Sequence, residues 1–195
     1  MLPNHILSAP SELGSFLFPR TAARRYAVDG LSDQHLGGVA LNDSSQGLIV
    51  KTWMALIVGN DIVIEAPGVA PFTILTIPGV IWVALAFDQA MRAFVAYVTP
   101  TDAKYYWYDT SIAGYTTSTL PAGTTRVFAS LDDNRPSQSS TSDIILSYVR
   151  AGVLYFRAQR DRYTVEYMLG PFVGKLIQAG MSTVNRYQFS GINES

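Results

Sequence analysis

Apolar residues along this chain recur as pairs of short runs, each pair broken by a turn. Phe94-Val95-Ala96-Tyr97-Val98 and Tyr105-Tyr106-Trp107-Tyr108-Asp109 form one pair, preceded by Phe87-Asp88. Ile145-Leu146-Ser147-Tyr148-Val149 and Leu154-Tyr155-Phe156-Arg157 form a second, preceded by Leu131-Asp132. A thinner copy, Ala55-Leu56-Ile57-Val58 with Ile62-Val63-Ile64, lies earlier. Each pair reads as a β-hairpin. The valines that end the first runs, Val58, Val98 and Val149, fall about 40 to 50 residues apart, a spacing typical of repeat architectures. Such units bury little alone and must stack on neighbours.

The remaining runs predict strands at 48–58, 61–66, 72–77, 80–87, 92–98, 104–109, 114–119, 125–131, 144–150, 153–159 and 163–169. Gly59-Asn60 and Pro78-Gly79 supply turn chemistry between neighbouring runs. Turn signals at this density predict an all-β fold of antiparallel hairpin repeats, either a β-sandwich or a partial, propeller-like stack of blades. The polar, serine-rich segment 134–142 reads as an exposed loop. After Gly170-Pro171, the positions of Phe172, Leu176 and Ile177 predict one short C-terminal helix ending near Gly180. A last strand is expected over 183–189.

Residues 1–46 differ from the body, residues 47–195. They carry Pro3, Pro10, Pro19 and several glycines, and no hydrophobic period is sustained. This segment reads as an extended N-terminal arm. It is either a strap over the chain's own body or a segment that orders on a partner. In the second case Phe16 and Phe18 would anchor it, and Arg24 and Arg25 would pair with carboxylates.

Composition narrows the function classes. Hydrophobic residues are 48% and charged residues 15% of the chain, so a core is well supplied and the surface is poor in charge. Such a surface points to contact with a partner. The net charge of −1 gives no global case for nucleic-acid binding. With no cysteine there is no disulfide, thiolate nucleophile or Cys zinc site. The first residues lack the basic start and apolar run of a secretion signal. Pro71, Pro78 and Gly79 break the apolar stretch 69–87 into pieces too short to span a bilayer, so no membrane association is expected.

No nucleophile elbow, P-loop, dinucleotide or HExxH pattern occurs. His5 and His35 both lie in the arm, without neighbouring ligands, and no metal or cofactor is expected. Asp88, Asp132 and Asp133 end strands, where Asp usually caps backbone amides. Arg157, Arg160, Arg162 and Tyr163 form the charge-dense part of the body. Arginines interleaved with aromatics can bind single-stranded nucleic acid. The structural alternative is pairing with Asp161, Glu166 or a neighbouring sheet's carboxylates, and this is the reading adopted. Tyr105 and Trp107 are expected to serve contacts of the body with partners, as is Tyr163.

The strings Ser142-Asp143-Ile144-Ile145-Leu146-Ser147-Tyr148-Val149-Arg150 and Gln159-Arg160-Asp161-Arg162-Tyr163 resemble small structural proteins encoded among the virion genes of tailed, especially short-tailed, bacteriophages. Leu85-Ala86-Phe87-Asp88, Leu131-Asp132-Asp133-Asn134-Arg135 and Arg186-Tyr187-Gln188-Phe189 share the likeness, which spans residues 48–190. The resemblance implies a multi-copy tail protein of the virion, a homo-oligomer without enzyme activity. It would dock on other tail or neck proteins and link or present the host-contact apparatus. An alternative expectation is a carbohydrate-binding module for a host surface glycan, with an aromatic floor and a polar rim. A glycan hydrolase would need two of Asp109, Asp132, Asp133 and Asp143 brought together on one face.

Overall fold

The computed structural model describes residues 39–43, 51–66, 68–88, 90, 92–131, 143–172, 175–181 and 187–192. Over these the chain is built from strands, with one 3-10 turn at Gln159–Asp161 and no α-helix. It divides into two compact units after Pro78.

The first unit contains a four-stranded antiparallel meander. Its strands are β1 (Val39–Asp43), β2 (Lys51–Val58), β3 (Asp61–Ala66) and β4 (Val69–Thr76), in the order β1-β2-β3-β4. Gly59, at φ 63°, turns β2 into β3 so that Val58 pairs with Asp61. β3 alternates half-buried and buried residues, with Ile62, Ile64 and Ala66 inside. That is the period-2 pattern of a sheet with one covered face.

The second unit repeats the plan. Its first sheet contains β5 (Trp82–Phe87), β6 (Ala93–Val98), β7 (Ala103–Asp109) and β8 (Gly114–Thr119), in that order. The next contains β9 (Thr124–Leu131), β10 (Ile144–Arg150), β11 (Val153–Ala158) and β12 (Tyr167–Pro171). β13 (Lys175–Met181) and β14 (Tyr187–Ile192) close the chain as a two-stranded hairpin. Strand order follows chain order in every sheet, which is up-and-down connectivity. No Greek-key crossover occurs among the described strands.

The three sequence copies are the β2–β3, β6–β7 and β10–β11 hairpins, the middle pair of each four-stranded sheet. Burial differs from strand to strand. β5 and β6 are buried at every position, whereas β8 alternates and β12 is largely exposed. Val83, Leu85, Val95 and Tyr97 alternate with the core residues of β5 and β6, so both faces of these strands are covered.

One core joins the two full sheets of the second unit. Trp82, Ala84, Ala86, Phe94, Ala96, Val98, Ala103, Tyr105 and Trp107 come from one sheet, and Val127, Ile144, Leu146 and Tyr148 from the other. Four alanines on the first face leave room for rings brought by the second, which is how a close-packed interior accommodates bulky aromatics. Trp82 Nε1 donates to the Val127 carbonyl at 2.8 Å, and its ring meets Phe128 edge-on at 5.4 Å. Each fully buried aliphatic side chain here stabilises the fold by roughly 1.5–3 kcal/mol.

Two expectations are corrected. The helix expected after Pro171 does not form. Leu176 pairs with Gly191, and β13 runs through positions assigned to that helix. Gly174 removes helix propensity within it, and Ile177 is β-branched. Pro171 instead ends an edge strand, where its missing N–H costs no ladder bond. The last strand is Tyr187–Ile192, later than expected. Within the segment read as an arm, Val39–Asp43 is a strand paired to β2.

Candidate functional site

The densest polar chemistry among the described residues lies where β11 leaves the sheet and β12 returns. β11 ends at Ala158, and the 3-10 turn Gln159–Asp161 follows. Arg162 and Tyr163 then both take left-handed backbone, at φ 51° and 56°. Non-glycine residues there cost of order 1–2 kcal/mol each. The Arg162 amide donates to the Gln159 carbonyl (2.7 Å), that of Tyr163 to Ala158 (3.0 Å) and that of Thr164 to Asp161 (3.0 Å). These bonds fix a sharp reversal that turns Tyr163 inward.

Tyr163 enters a ring cage contributed by the opposing sheet. Its centroid lies 5.1 Å from Trp107, 5.2 Å from Phe94 and 5.3 Å from Tyr105. It is 1% exposed, and its hydroxyl has no hydrogen-bond partner. Burial pushes its ionisation well above the ordinary phenol value.

The arginines around Tyr163 each find a carboxylate. Arg157 Nη2 lies 3.5 Å from Glu166 Oε2, and its Nη1 donates to the Tyr163 carbonyl at 3.1 Å. Arg150 Nη2 donates to Glu166 Oε1 at 2.8 Å. Tyr148 donates its hydroxyl to Glu166 Oε2 and accepts from Arg157 Nε at 3.2 Å. Arg160 Nε donates to Asp143 at the start of β10. Arg162 reaches the other sheet, where its Nη2 donates to Asp109 Oδ2 and to Ser111 Oγ (2.7 Å).

The electrostatics follow from this geometry. Burial alone would raise the Glu166 pKa. Hydrogen bonds from Tyr148 and Arg150 and the charges of Arg150 and Arg157 outweigh that, so the carboxyl stays ionised below its ordinary range. Burial and the bond to Glu166 push the Tyr148 phenol far up. At Asp109 burial again opposes ionisation, but bonds from Ser111 and Arg162 hold the pKa down. The cluster carries paired charge and has little surplus to attract a polyanion.

The expected contact residues of the body each have a definite place. Tyr105, Trp107 and Tyr163 are core residues at 3%, 7% and 1% exposure, so they form one interior cage and no outer surface. The strict alternation of β7, buried at odd numbers from Ala103 to Asp109, sets this inward aim. Arg157, Arg160 and Arg162 gather around that cage as a latch. Phe16, Phe18, Arg24, Arg25, His5, His35, Asp132 and Asp133 lie outside the described residues. Asp88 caps its turn, accepting from the amides of Ala90 and Arg92, both at 2.9 Å. Asp109 and Asp143 are held by arginines.

Two further surfaces were not anticipated. On the β7–β8 face, Tyr106 stacks on Tyr115 at 4.7 Å and Arg92 covers the Tyr108 ring at 4.1 Å. These rings are occupied by one another and by a guanidinium. On the outer side of the other sheet, Val165, Tyr167, Met168 and Leu169 are exposed, Met168 at 70%. Consecutive apolar residues in Tyr167-Met168-Leu169 were visible in the sequence, but their exposure depends on β12 being an edge strand.

The fold and this cluster define an all-β chain of up-and-down meanders, in which the two full sheets of the second unit share a core and are tied by an arginine–carboxylate latch. No known family matches the chain, and no curated protein or solved structure is detectably similar to it.

Proposed function

We propose that the protein is a structural, non-catalytic component of a bacteriophage virion. In this reading it is a multi-copy tail protein that docks on neighbouring tail or neck proteins and links or presents the host-contact apparatus. The observation that carries the reading is β12, a largely exposed edge strand without a charged residue. Its Tyr167, Met168 and Leu169, with the adjoining Val165, offer side chains to a neighbour. Contiguous exposed apolar surface of this kind marks interaction sites. The latch beneath it supports the same reading. A rigid support for a contact strand uses its arginines in pairs with carboxylates, as Arg157, Arg160 and Arg162 are used here. The virion assignment itself rests on the sequence resemblance around Gln159-Arg160-Asp161-Arg162-Tyr163. Phe16, Phe18, Arg24 and Arg25 would provide a second point of attachment.

The test is incorporation into particles. Met168→Lys and Leu169→Lys place charge on exposed positions and should leave folding intact. The expected result is normal soluble protein by circular dichroism and loss of the protein from purified particles. Unchanged incorporation of both variants would overturn the docking role of β12. Absence of the unmodified protein from particles would overturn the virion reading.

A further inference from the structure

Residues 159–165 pass from β11 towards β12 with one buried side chain, that of Tyr163. Both ends of the segment are fixed. Ala158 pairs with Ile145 in the β10–β11 ladder, and Glu166 is held by Arg150 and Tyr148. Between these ends the backbone bonds are local, from Arg162, Tyr163 and Thr164 to Gln159, Ala158 and Asp161. None of the seven residues belongs to a strand.

The closed position carries costs that an open one returns. Arg162 and Tyr163 hold left-handed backbone without being glycine, a strain that persists only where surrounding contacts impose it. The Tyr163 hydroxyl gives up water and gains no partner. Against these costs stand the ring contacts to Trp107, Phe94 and Tyr105 and the Arg157 bond to the Tyr163 carbonyl. Arg162 adds its bonds to Asp109 and Ser111, but its side chain is 55% exposed, so water competes for the guanidinium. The closed position therefore rests mainly on one ring.

We propose that residues 159–165 form a strap that opens as a local unit. Tyr163 swings out of its cage and Arg162 leaves Asp109, while the ladders of β5–β8 and β9–β11 stay paired. Opening bares a pocket walled by Phe94, Tyr105 and Trp107, a space of the size of one aromatic ring. It also breaks the bond from the Tyr167 hydroxyl to Asp161 Oδ2 (2.8 Å), so the contact strand β12 has its full support only when the strap is closed. A partner that grips β12 with Tyr167 in this place would bias the strap towards closure. That bias rests on the docking role of β12, and the opening itself does not.

Native-state hydrogen exchange of the full-length chain in low urea tests the opening. The amides of Arg162, Tyr163 and Thr164 should exchange at least about tenfold faster than those of β10, which is paired on both sides. Their rates should stay flat as urea rises, because a local opening exposes little surface. The β10 amides should speed up with each step of urea, because they wait for global unfolding. Tyr163→Phe keeps the ring and removes the hydroxyl that gains water only when the ring leaves. It should slow exchange at the three strap amides by about fivefold or more, again without a urea slope. Strap amides that follow the β10 urea slope overturn the proposal, because the ring then leaves only when the sheets part. Strap amides that exchange equally fast in Tyr163→Phe also overturn it, because they then open with the ring in place. Neither result bears on whether β12 docks on a partner, which particle incorporation decides.

Discussion

Replacing Tyr163 with phenylalanine should leave the protein as stable as before or make it more stable, although the residue is among the most buried in the chain. The ring contributes three aromatic contacts, to Trp107, Phe94 and Tyr105, with centroids between 5.1 and 5.3 Å. Phenylalanine keeps all three. The hydroxyl is buried without a partner. An unsatisfied group of this kind costs about 1–3 kcal/mol, and its removal recovers some of that. Tyr163→Ala removes the ring as well and should cost about 3–5 kcal/mol, as aromatic-to-alanine changes in cores do. Urea unfolding followed by tryptophan fluorescence is a suitable assay, since Trp107 touches the ring. A gain of 1 kcal/mol would also raise Tm by about 2–4 °C. If Tyr163→Phe proves less stable by more than about 1 kcal/mol, the hydroxyl has a partner in solution and the reasoning fails.

Glu166→Gln should destabilise the second unit by about 1–3 kcal/mol, because the negative charge is lost and one of the two oxygens that accept from Arg150 and Tyr148 becomes an NH2 donor; urea titration measures it. Glu166 and Asp109 both have depressed folded-state values, so the stability they contribute is present above the ordinary carboxylate values of 4.5 and 3.8 and is lost as pH falls through the folded ones. A pH series should show this acid loss, reduced in Glu166→Gln. Tyr148 and Tyr163 have raised values, so their contribution is complete below the ordinary 10.0 and declines as pH rises beyond it. Ala151, at φ 49° before Gly152, should be improved by Ala151→Asn, with up to about 1 kcal/mol gained in thermal unfolding. Ala96→Leu, on the face that receives the rings, should cost about 1–3 kcal/mol by overpacking in the same assay.

The strands were legible because their signals are local. Asp61–Ala66, Gly114–Thr119 and Ile144–Arg150 have the bounds that alternation and turn residues give. Tyr163 and Val165 look like the start of a strand. Yet two left-handed residues divert the chain, and β12 begins only at Tyr167. Nothing in β propensity reports such a reversal, which is held by bonds to Gln159 and Ala158. Leu176 and Ile177 satisfy a helical spacing as readily as a strand, and pairing with β14 decides between them. The arginine pairing was legible in kind, and Glu166 was legible as a partner of Arg157, but which carboxylate of the neighbouring sheet would be used was not. Asp109 lies 53 residues from Arg162 and becomes its neighbour only when the sheets pack. Tyr105 and Trp107 were read as contact residues because Tyr105-Tyr106-Trp107-Tyr108 presents rings to both faces. Sequence alternation cannot say which face is covered.

Strand order equal to chain order also has a kinetic meaning. Every sheet closes by joining neighbours across short connections, so the loop entropy spent before each new pairing is small. Sheets of this kind can form one after another as the chain leaves the ribosome. The long-range contacts between the two sheets, such as Arg162 to Asp109 and Tyr163 to Phe94 and Trp107, belong to the last event. They should be absent from the transition states of the individual meanders, so mutations there would speed unfolding and leave the folding rate of each sheet nearly unchanged. The lifetime of the packed pair of sheets therefore depends on the short segment that crosses between them, and the speed of their formation does not.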